Sequence, residues 1–299
     1  MASTRDVQRR IKGVKSTGKI TRAMEMISAV KMRKAVAAVM NVRPYAKAVL
    51  VVLRQMTTVE RMGSHAFFVD RPVKRACYVV ISSNRGLCGG FNSQIMKRLR
   101  AVREADADRK ATFITIGKKA DGIVRRLGGE IVATFPDVLG TPTAENIRPI
   151  ARMLVEKFLR SDIDRAVMVY TDFASVLSQV VKVRALLPVV EKDVLKALHE
   201  MDPKAGVPVD EIEAEYVVEP ATEEMLERLI LQLLTMELYH GVFESNASQE
   251  AARMIAMRNA TDASKEMVEN LTLSYNQLRQ AKITQEIAEL SAGKAALET

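Results

Sequence analysis

Tryptophan is absent from this 299-residue chain, and aromatic residues make up only 5% of it. So few large rings argue against an aromatic-rich β-sandwich. The abundant Ala, Leu, Met, Glu, Lys and Arg lean towards long helices. There are two cysteines, Cys77 and Cys88, too few for a disulfide framework and without metal-ligand spacing. They fit a reducing compartment. No run of about 18 uninterrupted apolar residues occurs, which excludes a transmembrane helix. The N-terminus lacks the apolar middle of a secretory signal. It is basic and poor in acids, as a transit peptide would be, but its pattern runs without a break into a helix. Both ends are almost free of breakers: all nine prolines lie between Pro44 and Pro220, and 10 of the 14 glycines lie between Gly63 and Gly206.

What is present divides accordingly. Residues 1–61 carry 14 Lys/Arg against 3 Asp/Glu, whereas 221–299 carry 7 against 12, so the basic excess belongs to one segment. Residues 5 to 57 have the spacing of one helix, with Ser3 or Thr4 as N-cap and Asp6 in the first turn. Its apolar stripe runs through Val7, Ile11, Val14, Ile20, Met24 and Ile27, interrupted at Thr17. It continues through Val39, Val42, Ala46, Val49, Leu53 and Met56. Pro44 is expected to bend this helix or mark a join. A second helix, free of proline, is expected over 221–290, roughly 100 Å at about 1.5 Å per residue. Its stripe begins at Met225, Leu229, Leu233 and Met236. Val268, Leu271, Tyr275 and Leu278 continue it, and Ile283, Ile287 and Leu290 end it.

The middle alternates. Apolar runs at 76–83, 111–117, 129–136 and 165–173 suit covered strands, and 91–105, 118–128 and 143–160 have helical spacing. Residues 178–190 and 213–220 would add edge strands, with a loop over 198–211. The expected fold is α/β plus long helices: a Rossmann-like α/β domain (62–220) inserted between an N-terminal helix (1–61) and a C-terminal helix (221–299). Those helices, each with a stripe too narrow for a globular core, would form an antiparallel two-helix coiled coil.

No catalytic constellation stands out. "GVKSTGK" (13–19) matches a phosphate loop until Ile20, where Ser or Thr is required, and no strand precedes it. "SSNRGLCGGFN" (82–92) follows a strand and opens a helix, where nucleotide folds hold phosphate, but it is not GxGxxG. A tight turn with Gly86, Gly89 and Gly90 at special backbone angles explains it better. His65, His199 and His240 are scattered, Cys88 has no nearby His in sequence, and Glu223/Glu224 suit a helix start. The basic N-terminal helix could meet nucleic acid, anionic lipid or an acidic protein surface. Against nucleic acid, residues 1–61 hold almost no aromatics for stacking.

Three motifs carry a resemblance. "IKGVKSTGKITRAMEMISAVKMRKA" (11–35), "SSNRGLCGGFNSQI" (82–95) and "LTLSYNQLRQAKITQEIAELSAG" (271–293) are similar to signatures of the gamma subunit family of F-type ATP synthases. That resemblance implies a central-stalk rotor whose terminal helices form a shaft inside a ring of alpha and beta subunits. The α/β domain would form a foot meeting epsilon and the membrane c-ring. Rotation of the c-ring would reach the catalytic beta subunits through the shaft and couple ion flow to ATP synthesis or hydrolysis. The family places catalysis and Mg-ATP/ADP on partner subunits, so no catalytic, metal or cofactor residue is expected here. Arg279 and Gln280 would hydrogen-bond a loop of beta, Met24 would lie near another, and 283–293 would enter an apolar bearing. Asn84 stands where the family commonly has Asp, so this position carries no charge here. The implied location is peripheral, on the cytoplasmic face of a bacterial membrane, with no nucleic-acid partner.

Overall fold

The computed structural model describes residues 4–58, 65–69, 71–140, 142–190 and 223–297. Helix α1 spans Thr4–Thr58, and the last helix, α5, spans Glu223–Leu297. Between them come β1 (Arg75–Ile81), α2 (Phe91–Ala105), β2 (Lys110–Ile116), α3 (Lys118–Arg126), β3 (Glu130–Phe135), α4 (Ala144–Leu159), β4 (Arg165–Phe173) and β5 (Gln179–Leu187). Alternation of buried runs with helical spacing therefore places every described element of the middle block. Pro44 lies inside α1, so the expected join does not exist there. It is exposed, where water can stand in for its missing donor. The expected loop at 198–211 and strand at 213–220 fall outside the described residues.

The chain forms two compact units, Met1–Ala29 with Arg253–Thr299, and Val30–Ala252. These borders differ from those expected at 61/62 and 220/221. The reason lies in α5: Leu226, Ile230, Leu233, Leu234, Leu238 and Val242 belong to the core of the α/β unit rather than to a sparse stripe.

In that unit the strands run in the order β3-β2-β1-β4-β5. All pairs are parallel except β4 with β5. Successive strand residues face opposite sides. Tyr78, Val80 and Phe113 pack with Ile95 and Leu99 of α2 and Ile123 and Val124 of α3. On the other side Val79, Ile81, Ile114 and Met168 pack with Ile150, Leu154 and Phe158 of α4 and with α5.

Two buried features tie the sheet together. Asp164 accepts the backbone N–H groups of Lys74 at 3.0 Å and Arg75 at 2.8 Å, joining the starts of β4 and β1. Burial pulls its pKa up, but the Arg75 and Lys74 N–H donors and the Arg75 and Arg71 guanidinium groups outweigh that and hold it below its ordinary value. Gly117, at φ 91° and ψ 141°, ends β2 in a conformation that only glycine adopts readily. A Cβ there would collide with the Ser82 carbonyl and lie 2.6 Å from Leu139 Cδ1.

Two outcomes follow for stability. Gly117→Ala lowers the unfolding free energy by at least ~2 kcal/mol in denaturant titration, from backbone strain plus collision. Because the folded-state pKa of Asp164 is depressed, its contribution is present above the ordinary carboxylate pKa and fades as pH falls through the folded value. Asp164→Asn therefore flattens the acid side of the stability profile; an unchanged acid limb would contradict this.

Candidate interaction surface

In the unit built from the chain ends, two contacts fix how α1 meets α5. Thr21 Oγ1 and Thr261 Oγ1 share a buried hydrogen bond of 2.8 Å. A Cβ added to Gly18 would stand 3.2 Å from Ser264 Cβ. As the α1 number rises by three the α5 number falls by three, so the helices pair antiparallel. Extending that register sets Val14 opposite Val268, Ile11 opposite Leu271, Val7 opposite Tyr275 and Thr4 opposite Leu278. The seam positions agree: 7, 11, 14, 18, 21, 25 and 28 on α1, and 257, 261, 264, 268, 271, 275 and 278 on α5, are all buried or half-buried. Both series alternate steps of three and four, the spacing that keeps one seam facing a partner helix.

This corrects the stripe expected from hydrophobicity. Ile20 is 59% exposed and Ile27 55%, while Thr17 is also exposed and lies off the seam. The register begun by Val7, Ile11 and Val14 demands Gly18, Thr21, Glu25 and Ser28, whatever their polarity. Small and hydroxyl side chains there let the backbones approach and bond across the seam. On the same helix Met32, Ala35 and Val39 continue the spacing and are buried in the other unit.

The displaced apolar residues face outward. Ile20, Ala23, Ile27 and Val30 form an exposed row on α1, with Met26 beside it and Arg22 and Lys31 nearby. On α5 every residue from Arg279 to Ala292 is exposed, including Ile283, Ile287 and, at 75%, Leu290. Leu278 already stands opposite Thr4, the first described residue of α1, so no described α1 residue lies across from that stretch. Arg279 and Gln280 open it. Met24 is half-buried and stands near Arg258 in this register, 21 residues from Arg279, roughly 30 Å along the helix. The three expected contact residues thus form two separate places, not one site.

The glycine turn is a structural corner. Gly89 is left-handed at φ 55°, but the other left-handed residue is Leu87 at φ 62° rather than a glycine. Gly90 precedes α2 at φ −81°, and Gly86 is not left-handed, so neither needs the angles expected of it. The Asn84 side-chain oxygen accepts the Lys118 N–H at 3.1 Å, which makes the position a hydrogen-bonding support for the start of α3. Asn92 donates to Ser83 Oγ at 2.8 Å and to Cys88 Sγ at 3.3 Å.

Other candidates lose their chemistry. Residues 13–19 are helical, and Thr17 Oγ1 donates to the Gly13 carbonyl, so no loop is there to cradle phosphate. In the sheet, β2 and β4 flank β1 on opposite sides, the position where such folds bind nucleotides. The Thr171 backbone beyond that point is already bonded to Ser245 and Ser248 of α5. His240 is buried 3.3 Å from Glu244 within α5, and His199 lies outside the described residues. Among the described residues no group of three metal-binding side chains occurs.

A family model described as ATP synthase matches residues 3–297. The ATP synthase gamma chain of Pelotomaculum thermopropionicum is 38% identical over 302 residues, covering the whole of both chains. That of Heliobacterium modesticaldum is 36% identical over 297 residues, 99% of this chain and all of its own. Among solved structures, a chain of the Euglena gracilis mitochondrial ATP synthase rotor in rotational state 1 superposes with TM-score 0.65 at 21% identity, over 94% of this chain and 98% of that one. A chain of the central stalk and c-ring structure from Tetrahymena thermophila gives TM-score 0.59 at 24% identity, over 81% and 99%. At those identities the two structures show a shared fold.

Both thiols are buried, and burial pushes Cys77 up to about 11. The folded chain therefore leaves both cysteines unlabelled by a maleimide at neutral pH on a timescale that labels the denatured chain fully. Rapid labelling of Cys88 in the folded chain would contradict the packing of the turn.

Proposed function

Since this chain belongs to the ATP synthase gamma chain family, we propose that it is the rotor of the central stalk, carrying rotation of a membrane c-ring to catalytic beta subunits and so coupling ion flow to ATP synthesis or hydrolysis. The observation that carries this reading is the bare end of α5. Fourteen consecutive exposed residues, 279–292, include an apolar row at Ile283, Ile287 and Leu290 with no partner on α1 among the described residues. A helix keeps such a row where another protein surrounds it.

The finer parts of the reading follow. The antiparallel α1–α5 pair is a coiled-coil shaft turning inside a ring of alpha and beta subunits. The row at Ile283, Ile287 and Leu290 sits in an apolar bearing of that ring. Arg279 and Gln280, at the first exposed turn, bond a loop of one beta subunit, and Met24, roughly 30 Å away along the axis, faces another level of the ring. The outward Ile20–Val30 row gives the ring a soft apolar track, and Arg22 and Lys31 attract acidic loops without locking to them. The α/β unit is the foot, held by epsilon and the c-ring. Catalysis and Mg-ATP/ADP belong to partner subunits, with no cofactor of this chain's own. It works at the cytoplasmic face of a bacterial membrane, as a peripheral subunit. Among the described residues no helix is long and apolar enough to cross a membrane.

Reconstitution with alpha and beta subunits tests this. The chain co-purifies in a complex that hydrolyses ATP, and Met24→Lys lowers ATP synthesis in coupled vesicles while hydrolysis persists. Ile287→Asp, which places a charge in the apolar row, weakens retention of the chain in the complex. A monomer with ATPase activity of its own, lost on Lys19→Ala, would overturn the reading.

A further inference from the structure

Strand β4 outlasts its neighbour. Its register with β1 ends at Val169, whereas its pairing with β5 continues to Phe173. Residues two apart on a strand direct their N–H and C=O groups to the same side, so the outer groups of Thr171 and Phe173 need partners beyond the end of β1. Helix α5 provides three. Ser245 Oγ accepts the Thr171 N–H at 3.0 Å, Ser248 Oγ donates to the Thr171 carbonyl at 3.3 Å, and Glu244 Oε2 accepts the Phe173 N–H at 3.0 Å. Three side chains of a helix thus take the place of a missing strand.

Neighbouring contacts fix the same helix face. Glu237 Oε2 meets Arg184 Nη1 of β5 at 2.7 Å with both side chains nearly buried. The Arg184 guanidinium also lies 5.4 Å from the centre of the Tyr170 ring. At Gly241 the helix comes so close to β4 that an added Cβ would lie 2.6 Å from Met168 Sδ. His240 Nε2 lies 3.3 Å from Glu244 Oε1 on the same helix.

Apolar packing has no preferred direction, so Leu233, Leu234, Leu238 and Val242 alone would let α5 turn or slide slightly on the sheet. Hydrogen bonds weaken steeply with misalignment. Bonds at 237, 244, 245 and 248, spread over three turns, define both the rotation and the axial position of the helix. We infer that residues Glu237–Ser248 are the joint through which torque passes between the sheet and α5, with Glu244, Ser245 and Ser248 as positioning residues. The helix is continuous from Glu223 to Leu297, so a rotation fixed at this joint is carried along its length. The inference rests on the rotor reading.

The test uses the complete ion-translocating complex in vesicles and measures ions pumped per ATP hydrolysed. Ser245→Ala with Ser248→Ala lowers that ratio by about fivefold or more, the scale of two lost hydrogen bonds, while hydrolysis by the assembled complex stays within about twofold. Ser248→Thr, which keeps the hydroxyl, retains most of the ratio. Where the double variant does not assemble, Ser248→Ala alone decides by the same ratio. A normal ratio in assembled variants overturns the joint, even with a lower yield of complex, because a merely structural role changes yield and not coupling. A wild-type chain that fails to couple at all would instead overturn the rotor reading.

Discussion

The close approach of α1 and α5 at Gly18 and Thr21 governs what the rest of the terminal unit can do. A seam of glycine, threonine and serine gives up apolar burial for proximity. Burying an isoleucine side chain stabilises by about 1.5–3 kcal/mol, and the pair forgoes that at Ile20 and Ile27. In exchange the seam gains a buried threonine–threonine hydrogen bond and a helix separation set by Gly18 and Ser264. The apolar residues left outside become surface. A thin pair with a greasy exterior is unfavourable alone in water and suited to a surrounding sleeve. One register thus accounts for both the packing inside and the stickiness outside.

Much of the fold was legible because strands buried on both faces advertise themselves. The runs around Val79, Ile114 and Val167 are continuous and apolar, and the helices between them keep their apolar spacing. The terminal helices were legible in extent from the scarcity of proline and glycine, with Pro44 alone in α1 and no proline in α5. What hydrophobicity misplaced was their inner face, since Ile20 and Ile27 outweigh Gly18 and Thr21 on any apolar scale. The alternation of three and four from Val7 onward held the correct answer. Likewise the stretch 226–251 of α5 is buried on several sides, a pattern that a single stripe conceals.

The candidate site divides differently. Arg279, Gln280 and Met24 came from resemblance alone, and their exposure or half-burial on the helices is compatible with contact but does not specify it. The glycine turn was recognisable as a corner, yet Leu87 in the left-handed region could not be foreseen, because nothing local in a leucine favours it. The support that Asn84 gives to α3 was equally hidden. It joins residues 34 apart through a turn and a strand end, and only the folded sheet brings them together.

The uncovered end of α5 has a thermodynamic corollary. A detached peptide of that length would be mostly unfolded in water, because starting a helix is costly. Here the turns are already started by the covered part of the same helix, and propagation adds residues of good helical propensity such as Ala281, Lys282, Gln285, Glu286 and Ala288. Local pairs such as Lys282 with Glu286 at 3.4 Å lend a little more support. The tip therefore arrives at any receptor already shaped, having surrendered its chain entropy during folding rather than at the encounter.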